Sequence, residues 1–371
     1  MTTFLDGRDY ARLYLHVAAN IYAKICGHTR WRGSARNRSE ATAAPPCLQR
    51  EGERERGSAL HPHTMIPELV HVGAAIPRLR SIPVLVIVLG AVGSHAWLPI
   101  PQAFLKASNS GSSHEFGRVV SVSGDTMAVS APGEASCSGV VVNGASGYAT
   151  DTGCTAAGAV YVYKRDGGTW AAEAYLKAPT AASSSTFGGG GVAVSASGDT
   201  IAVGAMGESS CSTSIVNGAS GHATDTGCSA AGAVYIFVRT GSDWTAQAFI
   251  KAPNAKAGDE FGYSVSLDGD ALTIGAQGES SCSTSIVNGA SGYPTDTDCS
   301  FAGAVYIFVR SSSTWTAQAF VKAPNAGADD RFGLTVSMSS NTIAVGAECA
   351  QMRANTNCPA APPMSHAVAE P

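Results

Sequence analysis

The cysteines are the residues of this sequence whose type and spacing best indicate a specific chemistry, either disulfide formation or metal binding. The chain of 371 residues holds ten cysteines, and six of them form three pairs whose members stand 17 positions apart. A zinc site would need Cys-x-x-Cys knuckles or neighbouring histidines, and neither accompanies these pairs. The offset therefore predicts three disulfides, which join Cys137 to Cys154, Cys211 to Cys228, and Cys282 to Cys299.

The other cysteines are less informative. Cys349 and Cys358 stand 9 positions apart and are predicted to form a disulfide in a C-terminal tail, residues 349–371. Cys26 and Cys47 lie elsewhere, and the sequence assigns them no partner. Because disulfides persist mainly in oxidising compartments, the cysteine pattern predicts a secreted or cell-surface protein.

The three cysteine pairs belong to a long internal repeat. Residues 207–255 and 278–326 are nearly identical, and residues 133–180 form a more diverged copy. The dipeptide Phe-Gly recurs at intervals of 71, 74 and 71 residues, beginning at Phe116, Phe187, Phe261 and Phe332. Self-similarity at a fixed long period indicates one supersecondary unit stacked several times, which favours recognition over catalysis.

The pattern of each repeat predicts four short antiparallel strands. In the third copy, residues 261–267 and 271–276 flank a Gly-Asp turn and predict a tight hairpin. A polar excursion follows, and then residues 303–310 and 315–322 predict a third and a fourth strand. Recurring aromatic residues are predicted to fill the space between stacked units: Tyr161, Tyr235 and Tyr306, and Trp170, Trp244 and Trp315.

The succession of FG, GDTIAVGA and GAVYIF resembles the FG-GAP repeat, the blade unit of integrin α-subunit propellers and of microbial and algal secreted proteins. The resemblance covers about Gln102 to Glu348. It implies an all-β propeller of three complete four-stranded blades plus a fragment, with an extracellular binding or adhesion role. Two arrangements stay open: an open arc cut from a larger propeller, and a four-bladed ring. In the ring, Pro101–Ala107 would supply the fourth strand of a blade shared by the two chain ends.

Some members of this family carry a calcium loop with several acidic residues between the first two strands. Here that loop is cut to a turn with one or two carboxylates, although a calcium cage needs about six oxygen ligands. The weak candidate ligands are Asp125, Asp199, Asp268 and Asp270. We therefore predict no bound metal and no cofactor; calcium is implied by part of the family but not supported by these residues.

The N-terminal residues differ from the repeats in charge. Residues 1–96 carry a net charge of +5, whereas the remainder carries −9. Residues 1–64 are predicted to be a poorly ordered basic extension, which an upstream extension of the gene model would also explain. The extension lacks interleaved aromatic residues, so no nucleic-acid partner is predicted.

Residues 65–96 have the layout of a signal peptide. Arg78 and Arg80 precede a 12-residue apolar run, which ends at Ser94-His95-Ala96. This predicts cleavage after Ala96 and a mature chain that begins near Trp97, followed by the propeller at residues 97–348. The 12-residue run is too short for a membrane span, which needs about 20 apolar residues. The alternative is a membrane anchor, in which the span extends through Ile82–Ile100.

No catalytic motif stands out. Glu134, Glu208, Glu279 and Glu348 recur after the second strand of each unit, and we expect them to cap a loop. The glycine run at Gly188–Gly191 does not join a strand to a helix, so it is not a phosphate loop. His222 replaces a tyrosine of the other copies, which argues against a general base.

The sequence thus predicts a non-enzymatic binding or adhesion module with an extracellular protein or glycan as its partner. The ligand surface is expected on the excursions around Asn143, Asn217 and Asn288, because loops on a rigid scaffold carry most binding sites. Two alternatives remain: an accessory propeller of a larger extracellular enzyme, and a structural component of a matrix or wall. The oligomeric state is not predicted.

Overall fold

The computed structural model describes the backbone of residues 84–92 and 96–348 and the side chains of residues 102–348. The described residues form 19 β-strands. Within them, no helix has the length and apolarity that a membrane crossing requires. The predictions for residues 1–64, for the tail at 349–371 and for Cys26, Cys47, Cys349 and Cys358 lie outside the described residues.

The strands follow the repeats along the chain. The first two are β1 (Val84–Val92) and β2 (Ala96–Leu105). Sheet I contains β3 (Val120–Ser123), β4 (Thr126–Ala131), β5 (Val142–Asn143), β6 (Ala159–Asp166) and β7 (Thr169–Leu176). Sheet II contains β8 (Phe187–Val194), β9 (Thr200–Ala205), β10 (Val216–Asn217), β11 (Ala233–Thr240) and β12 (Asp243–Ile250). Sheet III contains β13 (Phe261–Asp268), β14 (Ala271–Ala276), β15 (Val287–Asn288), β16 (Ala304–Ser311) and β17 (Thr314–Val321), and β18 (Thr335–Ser339) and β19 (Thr342–Gly346) follow it.

Each sheet has five antiparallel strands, one more than the sequence predicts. In sheet II the order is β8-β9-β11-β12-β10, and sheets I and III repeat this order. The first four strands form the predicted meander. The fifth is a Val-Asn pair from the polar excursion, which pairs with the fourth strand at the outer edge. Two residues are too few to show a strand periodicity, so the sequence pattern could not reveal it.

Backbone bridges join each sheet to the next one. Gly158 of sheet I forms a parallel bridge to Phe187, the first residue of sheet II, and the same bridge recurs at the next two junctions. A Cβ atom on Gly158 would lie 2.2 Å from the carbonyl oxygen of Phe187. The glycine before the third strand is therefore required by the contact between blades rather than by a turn alone.

Aromatic residues fill the interior, as the sequence predicts. The Tyr235 ring centroid lies 5.6 Å from that of Phe187 and 5.1 Å from that of Phe249. The Trp244 side chain is fully buried in a cluster that joins sheets I and II, and its Nε1 donates to Glu173 of sheet I at 3.0 Å. The tryptophans thus connect neighbouring blades.

Two hairpins flank the three sheets along the chain, and we call them half-sheets because each has two of the four main strands. The N-terminal half-sheet is the hairpin of β1 and β2, and the C-terminal half-sheet is the hairpin of β18 and β19. In the N-terminal hairpin, the register shifts between Val86 and Ile87, as it shifts between Ile236 and Phe237 in sheet II. Each half-sheet is a separate two-stranded sheet, so the shared blade of the predicted four-bladed ring is not formed within this chain.

Strand β1 coincides with the apolar run that the sequence assigns to a signal peptide or an anchor. A strand assignment does not test processing or targeting, so both stay predictions. A strand was not predicted here, because an apolar run of this length is typical both of a signal peptide and of a buried strand.

Candidate binding surface

The long connections of the three sheets gather at one end of the blades. The first and second strands, and the third and fourth, are joined by tight turns. The second and third strands are joined by excursions at residues 132–158, 206–232 and 277–303. Because successive antiparallel strands reverse direction, the excursions share one end with the connections between sheets. This end therefore carries the longest loops among the described residues.

A disulfide closes each excursion. All three predicted bonds are formed, with Cα–Cα distances of 5.0 Å. In sheet II, the carboxylate of Asp225 accepts a hydrogen bond from the amide of Cys211 at 2.7 Å, which fixes the start of the loop. Asp151 and Asp296 do the same in sheets I and III. This role of the aspartates was not predicted, although the Thr-Asp-Thr segment recurs at a constant distance from the first cysteine of each pair.

An aromatic ring folds each excursion onto the blade. Tyr148 and Tyr293 stack on Tyr175 and Phe320, and their hydroxyl groups donate to the backbone carbonyls of Gly144 and Gly289. In sheet II, His222 takes the same place, with Nε2 3.2 Å from the carbonyl oxygen of Gly218. His222 therefore substitutes for a structural tyrosine.

Two of the three predicted ligand-loop asparagines connect neighbouring blades. The Asn143 amide donates to the carbonyl of Trp244 and accepts from its amide, at 3.3 and 2.8 Å. Asn217 makes the same pair of bonds with Trp315. Asn288 has no such partner among the described residues, and it is exposed. The first two amides are committed to structure, which leaves the residues around them as the available surface.

What the excursions present to solvent is a repeated polar tip. Each contains the exposed pentapeptide Asn-Gly-Ala-Ser-Gly, at Asn143–Gly147, Asn217–Gly221 and Asn288–Gly292. The three tips have identical sequences and stand one blade apart. They carry no ionisable side chain, so any ligand would be recognised through hydrogen bonds and shape rather than through charge.

Three of the four recurring glutamates belong to buried ion pairs. Lys251 Nζ donates to Glu208 Oε2 at 2.6 Å, and also to the carbonyls of Ser210 and Gly232. The same pair forms between Lys177 and Glu134 and between Lys322 and Glu279. These lysine side chains are fully buried. The expectation that the glutamates cap a loop is therefore incomplete, because these three also pair with the lysine of the repeated Lys-Ala-Pro segment 43 positions later. Glu348 does not belong to this set, since it lies at the position of Gln277 and makes an exposed ion pair with Arg331.

The carboxylates of the Gly-Asp turns have protein partners. Asp125 and Asp270 each accept a hydrogen bond from an arginine Nε at 2.7 Å. Asp199 accepts hydrogen bonds from the hydroxyls of Ser197, Thr200 and Ser195, which hold the pKa of its carboxyl below its usual range. Asp268 accepts from the amide of Ser340. Among the described residues, no group of three or more Asp, Glu, His or Cys side chains is placed to hold a metal ion.

We predict that calcium leaves the stability of the chain unchanged. A ligand that binds only the folded state must raise the melting temperature, and the turn carboxylates offer too few free oxygens to bind calcium. Thermal melts in millimolar calcium and in excess chelator should coincide within about 1 °C. A rise of several degrees in calcium would contradict the prediction.

An open depression of about 490 Å³ lies between the outer strands of sheets I and II. Its acidic residues include Glu173, which already pairs with Arg239 at 3.1 Å and with the Trp244 indole. Lys164 and the exposed Asp166 and Asp243 also line it. The polar groups that remain do not converge on one point, so the depression is a weaker binding candidate than the tips.

A buried carboxyl group should make stability depend on pH. Burial raises the pKa of Asp259 to about 7, although its carboxylate accepts a hydrogen bond from the amide of Lys256. Because this folded-state pKa lies above the unfolded value near 4, its stabilising contribution is full below about pH 4 and is lost as pH rises through about 7. Denaturant melts of Asp259→Asn between pH 4 and 7 should lack a decline on the order of 2–4 kcal/mol that the parent shows.

The matched control is Asp330→Asn. Asp330 accepts an equivalent hydrogen bond from the amide of Gly327, but it is only partly buried. This variant should keep the pH dependence of the parent. Identical slopes in the parent and in Asp259→Asn would show that Asp259 does not titrate in this window.

The comparisons with known proteins agree with this architecture. Residues 244–308 and 315–361 match the family model of the FG-GAP repeat. A comparison with curated proteins gives no match. The matched residues include strand β12 of sheet II and most of sheet III, and sheet I repeats the same five-stranded order. Residues 244–361 are therefore similar to FG-GAP repeats, and the five-stranded antiparallel sheets are consistent with β-propeller blades.

Proposed function

We propose that this chain is an extracellular binding or adhesion module and that the excursion end of its blades is the ligand surface. The observation that carries the proposal is the exposed Asn-Gly-Ala-Ser-Gly tip, repeated three times on a disulfide-closed loop. Rigid blades hold these tips at fixed intervals. Loops positioned by a rigid scaffold are where binding residues concentrate.

The location follows from the disulfides and the family. Three bonds that close loops on the protein surface need an oxidising compartment to form and persist. FG-GAP propellers are typically extracellular modules without chemistry of their own. The described residues also lack a convergent set of catalytic groups, since Glu134, Glu208 and Glu279 are buried against lysines.

The regular repetition of the tips favours a ligand with repeating units, such as a polymeric glycan or a repetitive extracellular protein. Three weak contacts to one chain-like ligand reinforce one another, because the second and third contacts are intramolecular. A single tip would then bind poorly. The expected signature is a loss of binding that grows more than proportionally as tips are altered.

The test replaces the exposed serine of each tip by arginine: Ser146→Arg, Ser220→Arg and Ser291→Arg in one variant. The parent should bind immobilised extracellular glycans or matrix proteins, and this triple variant should lose at least 10-fold in apparent affinity. The control variant, Ala196→Arg, Ser339→Arg and Asn341→Arg, adds the same charges at exposed turns between first and second strands, on the side of the sheets away from the fifth strand. Equal binding by both variants would overturn the proposed surface.

Two alternatives have distinct outcomes in the same experiment. If the chain is an accessory propeller of a larger enzyme, it should bind the polymer that the enzyme acts on and release no product from it. If it is a structural wall or matrix component, the parent should bind no soluble ligand and should instead be recovered with the insoluble wall fraction.

A further inference from the structure

The two half-sheets are complementary parts of one blade. Strands β1 and β2 have the register of a third and a fourth strand, including the shift after Val86. Strands β18 and β19 have the register of a first and a second strand, since Val336 pairs with Val345 as Val265 pairs with Ile274. Placed side by side, the order β18-β19-β1-β2 is that of the four main strands of sheets I to III.

Strand β3, the first strand of sheet I, has side chains that the first two strands of a preceding blade would bury. Val120 and Val122 on β3 are 40% and 45% exposed. The equivalent Val192 and Val194 on β8 are 5% and 7% exposed, because they pack in a cluster with sheet I. Strand β2 contributes Leu105 to the core of sheet I, but the inner positions beside β3 remain open to solvent.

On sheet III, the excursion has side chains that the third and fourth strands of a following blade would bury. Val141 and Ile215, on the excursions of sheets I and II, pack against the core of the following sheet. Their equivalent on sheet III, Ile286, is 52% exposed. Asn288 also lacks the neighbouring outer strand that Asn143 and Asn217 bind. The outer half of a blade would cover both residues.

An aromatic side chain of the N-terminal half-sheet also lacks the cover that it has in a complete blade. Phe104 on β2 is 66% exposed, whereas its equivalents Tyr175, Phe249 and Phe320 are fully buried. Lys106 occupies the position of the three buried lysines and is exposed. Glu348 does not complete a pair with Lys106, because it lies at the position of Gln277 and makes an exposed ion pair with Arg331. The joined blade would therefore cover Phe104 but would lack the buried ion pair of the complete blades.

We propose that a second copy of this chain supplies the missing half, so that β19 of one copy pairs with β1 of the next. Within one chain the half-sheets do not pair, and the sheets between them pack in succession. Two copies joined at both ends would form a ring of roughly eight blades, within the range usual for propellers. Such a ring leaves no free sheet edge and has twofold symmetry.

One contact would be weaker in the joined blade than in the others. Pro99 stands where Trp244 stands in sheet II, judged by the register of the two hairpins. Proline has no amide hydrogen, so Asn288 could donate to the carbonyl at this position but could not accept from its nitrogen. The joined blade would therefore rest mainly on the β1–β19 ladder and Phe104.

The inference requires that residues 84–92 remain in the mature protein. It therefore excludes cleavage after Ala96, which the sequence also predicts. N-terminal sequencing of exported protein decides between the two. A mature chain beginning near Trp97 would overturn the inference, because the third strand of the joined blade would be lost.

The oligomeric state tests the second copy directly. The parent chain should be a dimer by light scattering, and a monomeric parent would overturn the inference.

Phe104→Ser should weaken dimerisation by at least roughly 10-fold, since an apolar ring would no longer be buried where β1 of one copy pairs with β19 of the next. Val140→Ser is the control, because Val140 is 63% exposed and lies away from both half-sheets. It should leave the dimer unchanged. Equal effects of the two variants would overturn the proposed junction.

A cysteine pair tests the register and the occupant together. By the pairing of Thr273 with Ile307, residue 344 should face residue 86. Val86→Cys with Ala344→Cys should form a covalent dimer, whereas Leu85→Cys with Ala344→Cys, one position out of register, should not. A link formed within one chain would overturn the second copy as the occupant. None of these outcomes depends on ligand binding, so the inference and the proposed function can fail separately.

Discussion

Replacing Lys251 by methionine should destabilise the folded chain by about 3–5 kcal/mol, because it leaves the Glu208 carboxylate buried without its partner. The lysine side chain is fully buried and the glutamate is 6% exposed. Burial lowers the pKa of Lys251, while the Glu208 carboxylate acts in the opposite direction. Lys251 also satisfies the carbonyls of Ser210 and Gly232, so three acceptors lose a donor at once.

Urea unfolding of the parent, Lys251→Met, Glu208→Gln and the double variant would measure this coupling. We expect the double variant to be more stable than Lys251→Met alone, since removing both charges also removes the uncompensated burial. Lys164→Met is the control, because Lys164 is only partly buried and makes no ion pair among the described residues. It should change stability by less than about 0.5 kcal/mol. A similarly small loss for Lys251→Met would contradict the prediction.

The repeat made the fold predictable. The recurrence of Phe-Gly and the alternation around each Gly-Asp turn place the first hairpin of sheet III within one residue of where the structure has it. The cysteine spacing likewise identified the three disulfides. These features are local, or they recur at a constant offset, so the sequence displays them directly.

Contacts between repeats were much harder to predict. The Lys251–Glu208 pair and the Asn143–Trp244 clamp depend on which residues face each other across strands or between blades. A lysine and a glutamate 43 positions apart carry no local pattern, and only their joint recurrence marks them. The asparagines were therefore assigned to a ligand surface, although two of them have their hydrogen-bonding capacity committed to the next blade.

One pair of positions shows how a small change between repeats alters a buried network. In sheet I, the Ser136 hydroxyl bonds with Glu134 and with the Tyr175 hydroxyl. Sheets II and III have Phe249 and Phe320 in place of Tyr175, and the hydroxyls of Ser210 and Ser281 lack a partner among the described residues. The sequence shows the Tyr-to-Phe change, but only the structure shows which hydroxyl loses its partner.

Removing the Cys211–Cys228 disulfide should cost about 3 kcal/mol of unfolding free energy from the loop closure alone. The variant is Cys211→Ser with Cys228→Ser, so that no free thiol remains. The excursion that the disulfide closes also carries Asn217, whose two hydrogen bonds to Trp315 join sheet II to sheet III. Releasing the excursion should weaken that clamp and add about 1–2 kcal/mol.

The chain contains its own control for this prediction. The Cys282–Cys299 disulfide closes a loop of the same length, with a separation of 17 residues, but its Asn288 clamps no following sheet among the described residues. The double serine variant at these positions should therefore lose only the loop-closure contribution, and the difference between the two variants measures the clamp. Non-reducing peptide mapping of the parent must first show Cys211 linked to Cys228. Equal losses in urea unfolding would show that the clamp does not depend on the disulfide, and free thiols in the parent would contradict the pairing itself.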